Sequence, residues 1–206
     1  MRSSASSSSR PAGATDVVEI VDFAVAGSAI DGLLVITMKQ VHEERGTVRE
    51  LYRGSSFAAA GHPGLGPWAQ INLTATTQGG LRGLHAEDMT KLVAVAAGEA
   101  FGAYVDLRPA SATHGAVVTV PLVPGTQVLV PRGVANGFQA VAPGTTEYLY
   151  CFDAEWAPGM AGQACNPLDP ALGIEWPIPI DVDDRAQISA KDLAAPSFAD
   201  LQETDR

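Results

Sequence analysis

Apolar and polar side chains alternate with a period of two along much of this chain, a pattern that predicts strands rather than helices. The clearest case is residues 68–76 (WAQINLTAT). Ala69, Ile71, Leu73 and Ala75 share one face, and Gln70, Asn72, Thr74 and Thr76 share the other. That uncharged polar face suits either water or the mouth of a barrel, where amides and hydroxyls would meet a polar small molecule. Apolar content rises over residues 17–25, and residues 33–41 (LLVITMKQV) are rich in β-branched side chains, which predicts another strand. Residues 92–97 and 100–107, separated by Gly98 and Glu99, read as a β-hairpin. Further short strands are predicted at 116–122, 127–130, 137–141 and 147–152, each bounded by glycine or proline turns. Such spacing, with little helical periodicity, predicts an all-β sandwich or barrel.

The intervening stretches read as connections. Residues 42–50 form a charged turn, 53–67 a loop rich in Gly, Ala and Pro, and 157–170 a second loop. Residues 173–176 lead into a proline-rich connection, and 189–201 end the fold with a short helical segment. Ser189 and Asp192 have capping-box spacing, with Asp where Glu or Gln is usual. The serine-rich arm at 1–15 has nothing to bury and is expected to be disordered. Residues 16–206 are expected to form a single domain without internal repeats.

Composition narrows the function. A chain of 206 residues can enclose a full hydrophobic core. Its formal net charge of −10 argues against a sequence-independent grip on nucleic acid or on an anionic membrane. An anionic ligand would need a locally basic pocket. No apolar run approaches the roughly 20 residues that span a bilayer, and no apolar core of a secretion signal stands at the N-terminus. A soluble, cytoplasmic chain is the expectation, with Cys151 and Cys165 as free thiols.

Candidate chemistry gathers between Gly79 and Arg108. His85 follows a glycine turn, with Arg82 before it and Lys91 after it: a possible base and two cations beside a short sheet. Arg45 or Arg49 offers a further contact for a ligand anion.

These residues fall in pieces that resemble a known family. EERG (43–46), LRGLH (81–85), KLV (91–93), GEAF and VDLR (98–108), VPRGVANGF (130–138), GIEWP (173–177) and SAKD (189–192) are similar, in order and spacing, to the dTDP-4-dehydrorhamnose 3,5-epimerases. The resemblance covers residues 30–201. It implies a cupin-type jelly roll with a few short helices, a homodimer formed by sheet exchange, and catalysis without metal or cofactor. It assigns His85 as the base that removes a proton next to a ketone and Asp192 as the carboxylate that orients it. Lys91 falls to the developing enolate oxygen, although a pairing with Glu87 or Asp88 competes for it. Arg82 and, by analogy, Arg45 would hold diphosphate oxygens, with surface salt bridges as the competing use. Gln70 and Asn72 match polar positions of a ligand-facing strand, while Asp106 and Arg108 are assigned to structure.

Three departures stand beside these matches. The family's tyrosine pair before a Ser-Pro, whose first member the resemblance makes the acid for the opposite face, is Glu155 and Trp156 here. A histidine near the phosphates is Asn136, and an aromatic run has become Thr47, Val48 and Arg49. Glu155 can replace a tyrosine acid only if burial raises its carboxyl pKa from about 4.3. The resemblance implies an epimerase or isomerase that enolises a 4-keto-6-deoxy sugar nucleotide, a small-molecule dTDP-sugar, in deoxysugar or secondary-metabolite biosynthesis. A cyclase or isomerase acting on a non-sugar natural-product intermediate is the alternative. A metal-dependent cupin oxygenase fits less well, since the four histidines are scattered and no HxH occurs. A binding-only cupin would have no use for His85 with Asp192.

Overall fold

The structure, a computed structural model, describes residues 18–204, so the arm expected at 1–15 lies outside the described residues. The first five strands are β1 (Glu19–Val21), β2 (Ala24–Gly27), β3 (Leu34–Thr37), β4 (Gln40–Glu43) and β5 (Gly46–Arg49). A short helix, α1 (Gly54–Ala59), precedes β6 (Gln70–Thr77), β7 (Leu81–Glu87), β8 (Lys91–Ala97) and β9 (Ala100–Asp106). There follow β10 (Val117–Leu122), β11 (Thr126–Val130), β12 (Val134–Ala140), β13 (Thr145–Phe152) and β14 (Gly162–Ala164). Helices α2 (Ala190–Leu193) and α3 (Phe198–Thr204) are the last elements among the described residues.

Two antiparallel sheets make the body, a six-stranded one in the order β2-β3-β11-β8-β13-β6 and a five-stranded one in the order β10-β9-β12-β7-β14. The strands β1, β4 and β5 form a small third sheet. Period-two alternation sorts side chains between the faces. Val93 and Val95 of β8 and Tyr148 of β13 enter the core between the main sheets, while Leu92 and Cys151 join a cluster on the outer side. Phe138 and Tyr148, from opposite sheets, stack with ring centroids 3.9 Å apart. Each such side chain stabilises the fold by about 1.5–3 kcal/mol through burial. Outside the six-stranded sheet, Phe57 of α1 packs with Ile36 and Leu92. Outside the five-stranded sheet, Leu172, Trp176 and Phe198 cover Leu84, Ala86 and Val105.

Several sequence expectations are corrected. The hairpin read across residues 92–107 does not form, because β8 and β9 lie in different sheets, joined through Gly98 at a φ of 79°. Each is interior to its own sheet: β8 pairs with β11 and β13, and β9 with β10 and β12. A strand apolar on both faces gains most from such a place. Residues 33–41 divide into β3 and β4, and the charged stretch 42–50 is largely the β4–β5 hairpin. The loops read at 53–67 and 157–170 contain α1 and β14. Cys151 and Cys165 are buried free thiols, as expected. The Asp106 carboxylate, without solvent exposure, accepts hydrogen bonds from Arg108 Nε at 2.8 Å and from the Ser111 and Thr113 hydroxyls at 2.6 Å each.

Candidate active site

Arg82 and His85 both lie in β7, where residues three apart would normally face opposite sides of the sheet. A bulge changes this. Arg82 pairs with Phe138 and His85 with Asn136 of β12, so three steps along β7 match two along β12. Phe138 points into the core, and Arg82 and His85 therefore both turn inward. Gly83 permits the bulge: its φ is 122°, and an added Cβ would lie 2.5 Å from Gly137 Cα.

The two side chains open onto adjoining cavities of about 340 Å³ each, between the ends of the main sheets. Asn72, Thr74 and Thr76 of β6 line them, so the uncharged polar face of that strand meets the cavity rather than bulk water alone. Opposite β7 stands Tyr150 of β13, whose register partner is Asn72.

His85 Nε2 lies 2.7 Å from Asp192 Oδ1. Asp192 is held at the start of α2, where the Ser189 hydroxyl accepts its backbone N–H at 3.0 Å. This is half of the expected capping box. The Asp192 carboxylate turns to the imidazole. Burial pushes its carboxyl pKa up, but the hydrogen bond and charge of His85 outweigh that and hold it below the usual range, helped by Ser189 and the Gly83 backbone. An ionised Asp192 favours the proton on Nε2, which leaves Nδ1 as the basic nitrogen.

Lys91 is only 3% exposed. Its ammonium donates to Asn136 Oδ1 at 2.7 Å, to the His85 carbonyl at 3.1 Å and to the Glu87 carboxylate. It thus lines the cavity beside His85 and also forms the Glu87 pairing that competed with that role. Burial pulls its pKa down and Glu87 offsets this only in part, which leaves the ammonium below the usual lysine range. A phenol is protonated at neutral pH in any case, and desolvation of the half-buried Tyr150 pushes its pKa further up.

Around these groups the surface is basic although the whole chain is acidic. Arg82, Arg185 and Lys191 line the cavity, and Arg82 Nε donates to Thr76 Oγ1 at 3.0 Å. Trp156 lines its outer part, and Gln70, one step behind, accepts the Trp156 backbone N–H at 2.8 Å. Two expected residues are not brought in. Arg45, at the tip of the β4–β5 hairpin, has a side chain 84% exposed and pairs with Glu43 at 2.6 Å. Glu155 is exposed and is absent from the cavity lining.

Tyr150, Glu87, Arg185 and Lys191 are the residues that sequence reasoning missed. Tyr148, Tyr150 and Phe152 alternate along residues 147–152, and Glu87 stands two residues from His85 and so shares its face. A larger cleft of about 600 Å³ is walled by residues 61–67, Thr90, Leu129 and Asp153, on the outer side of the six-stranded sheet. Its Asp153 carboxylate is already engaged by the Thr90 N–H and Arg132, so volume alone does not make it the chemical site. Among the described residues, no three His, Cys, Asp or Glu side chains gather as a metal centre would require.

Residues 27–200 match the profile of the dTDP-4-dehydrorhamnose 3,5-epimerase family. The dTDP-4-dehydrorhamnose 3,5-epimerase of Salmonella typhimurium is 33% identical over 181 residues, covering 84% of this chain and 93% of that one. The dTDP-4-dehydro-6-deoxyglucose 3-epimerase of Streptomyces bikiniensis is 32% identical over 164 residues, covering 76% and 80%. Among solved structures, NovW is a 4-keto-6-deoxy sugar epimerase from the novobiocin biosynthetic gene cluster of Streptomyces spheroides. It superposes with a TM-score of 0.81 at 28% identity, over 92% of this chain and 94% of that one. The paired sheets are accordingly a cupin-type jelly roll, and the chain belongs to the dTDP-4-dehydrorhamnose 3,5-epimerase family.

Proposed function

We propose that this protein is an epimerase that enolises a 4-keto-6-deoxy sugar carried on dTDP, within deoxysugar or secondary-metabolite biosynthesis. The observation that carries the reading is the placement of His85 and Tyr150 on opposite sheets around one cavity that Lys91 also lines. Inversion next to a ketone needs a base on one face, a cation for the enolate oxygen and an acid on the other face. His85, oriented by Asp192, removes the proton. Lys91 meets the developing negative charge, and the protonated Tyr150 phenol returns a proton from the other side.

The basic group of Arg82, Arg185 and Lys191 supports binding of a diphosphate, since guanidinium and ammonium donors match its oxygens. Asn72 and Trp156, the latter tethered by Gln70, suit the polar edge and flat face of a nucleobase. The substrates named for the relatives from Salmonella and Streptomyces support dTDP as the carrier. Incubation with dTDP-4-keto-6-deoxyglucose is expected to give sugar inverted at a carbon flanking the ketone. Recovery of unaltered sugar would contradict the proposal.

The active form is a homodimer in this reading. Ile71 and Leu73, 60% and 58% exposed, put apolar surface on the outer face of the edge strand β6. Ile20 and Val48 do the same on the small sheet, which pairs with neither main sheet. Apolar edges of this kind are normally covered. A partner at this surface gives Arg45, on the hairpin of the small sheet, a cavity to reach in the other subunit.

A further inference from the structure

A lysine ammonium has three N–H donors, and all three of Lys91's are engaged within the protein, by Glu87, by Asn136 Oδ1 and by the His85 carbonyl. Only the first acceptor is ionised. An enolate oxygen must therefore displace one of the three. Exchanging the neutral Asn136 amide for the substrate oxygen leaves the charge pair intact, whereas displacing Glu87 would leave a partly buried carboxylate without its partner.

We infer that Glu87 is a positioning residue of the enolisation site, one that fixes Lys91 in place and in its charged form while Asn136 yields its contact to the substrate. The inference rests on the enolisation reading above. The other charged groups around the cavity give Lys91 no substitute for Glu87. Arg82 on β7, Arg185 ahead of α2 and Lys191 on α2 are cations, the His85 imidazole on β7 is neutral or cationic but never an anion, Asp192 on α2 is taken up by His85, and Tyr150 on β13 is a neutral phenol. Asn136, from β12, is uncharged. A buried ammonium among cations and neutral acceptors gives up its proton readily. Consistent with this, burial depresses the Lys91 pKa, and Glu87 is the group that opposes the fall.

Glu87→Gln keeps the side-chain shape but removes the charge, and Glu87→Asp keeps the charge. NMR of protein labelled at the lysine ε-carbon reads the ionisation of Lys91 directly, with no turnover needed. In Glu87→Gln the Lys91 signal is expected to titrate at least about one pH unit lower. Deuterium wash-in from D2O into dTDP-4-keto-6-deoxyglucose supplies the second readout. The rate of Glu87→Gln relative to the unsubstituted protein is expected to rise about tenfold as the pH falls from ~8.5 to ~6.5. Glu87 also acts on the charge of the His85 imidazole, so the rate ratio is read together with the Lys91 signal, which reports on that ammonium alone. Glu87→Asp is expected to restore both the titration and the rate toward the unsubstituted values. A Lys91 signal that titrates identically in Glu87→Gln overturns the inference, as does a loss of rate that is the same at every pH. A shifted Lys91 titration in a protein that shows no wash-in at all would uphold the Glu87 assignment and defeat the enolisation reading instead.

Discussion

A phenol keeps its proton at neutral pH, its ordinary pKa being about 10, and Tyr150 lines the cavity, whereas Glu155 stands in solvent outside it. In the proposed reaction the proton donor at neutral pH is therefore Tyr150. Removing its hydroxyl with Tyr150→Phe is expected to slow inversion by about 10²-fold, the ordinary scale of acid catalysis, while proton removal by His85 continues. Glu155→Gln is expected to leave inversion close to that of the unsubstituted protein. Product stereochemistry by NMR checks both, and equal losses in the two variants would contradict the assignment. His85, Asp192, Arg82 and Lys91 are legible in the sequence because short motifs carry them. Tyr150 is not, since alternation along 147–152 separates two faces without saying which one meets β7 across the cavity. That depends on strand pairing between residues about eighty apart, which local pattern does not encode.

At the scale of elements, the site depends on irregularities that the period-two pattern hides. The bulge in β7 lets Arg82 and His85 share a face, and its trace in the sequence is the glycine pair Gly83 and Gly137, which approach too closely for a side chain. The predicted β8–β9 hairpin fails for a related reason: continuous apolar runs mark buried strands but not their neighbours. The end of β9 carries a further consequence. Burial raises the pKa of Asp106, but hydrogen bonds from Arg108, Ser111 and Thr113 outweigh it and hold the carboxyl far below its ordinary value. Because the folded pKa lies below the unfolded value of about 3.9, the stabilisation is complete above that pH and is lost as the pH falls below it. Asp106→Asn is expected to cost about 3 kcal/mol at neutral pH and to flatten the stability profile below pH ~4. Urea unfolding across pH reads both, and an unchanged acid profile would contradict this account of the cluster.

Over the whole molecule, an acidic chain folds so that its cavity is lined by Arg82, Arg185, Lys191 and Lys91, which gives a selective rather than general attraction for anions. Fold class is legible from strand spacing, and the family from seven ordered motifs. The convergence of residues 72, 85, 150 and 185 on two adjoining cavities is a property of the closed sandwich alone. Light scattering at micromolar concentration is expected to give twice the chain mass, as coverage of Ile71 and Leu73 by a second copy requires; a monomer would contradict the dimer. The claim on which all else depends is that His85 removes the proton next to the ketone. Its most direct test is deuterium wash-in from D2O into dTDP-4-keto-6-deoxyglucose, followed by NMR for the unsubstituted protein and for His85→Ala. The account predicts exchange at the carbon flanking the ketone and a loss of at least about 10²-fold in the variant; exchange that persists undiminished in His85→Ala would contradict it.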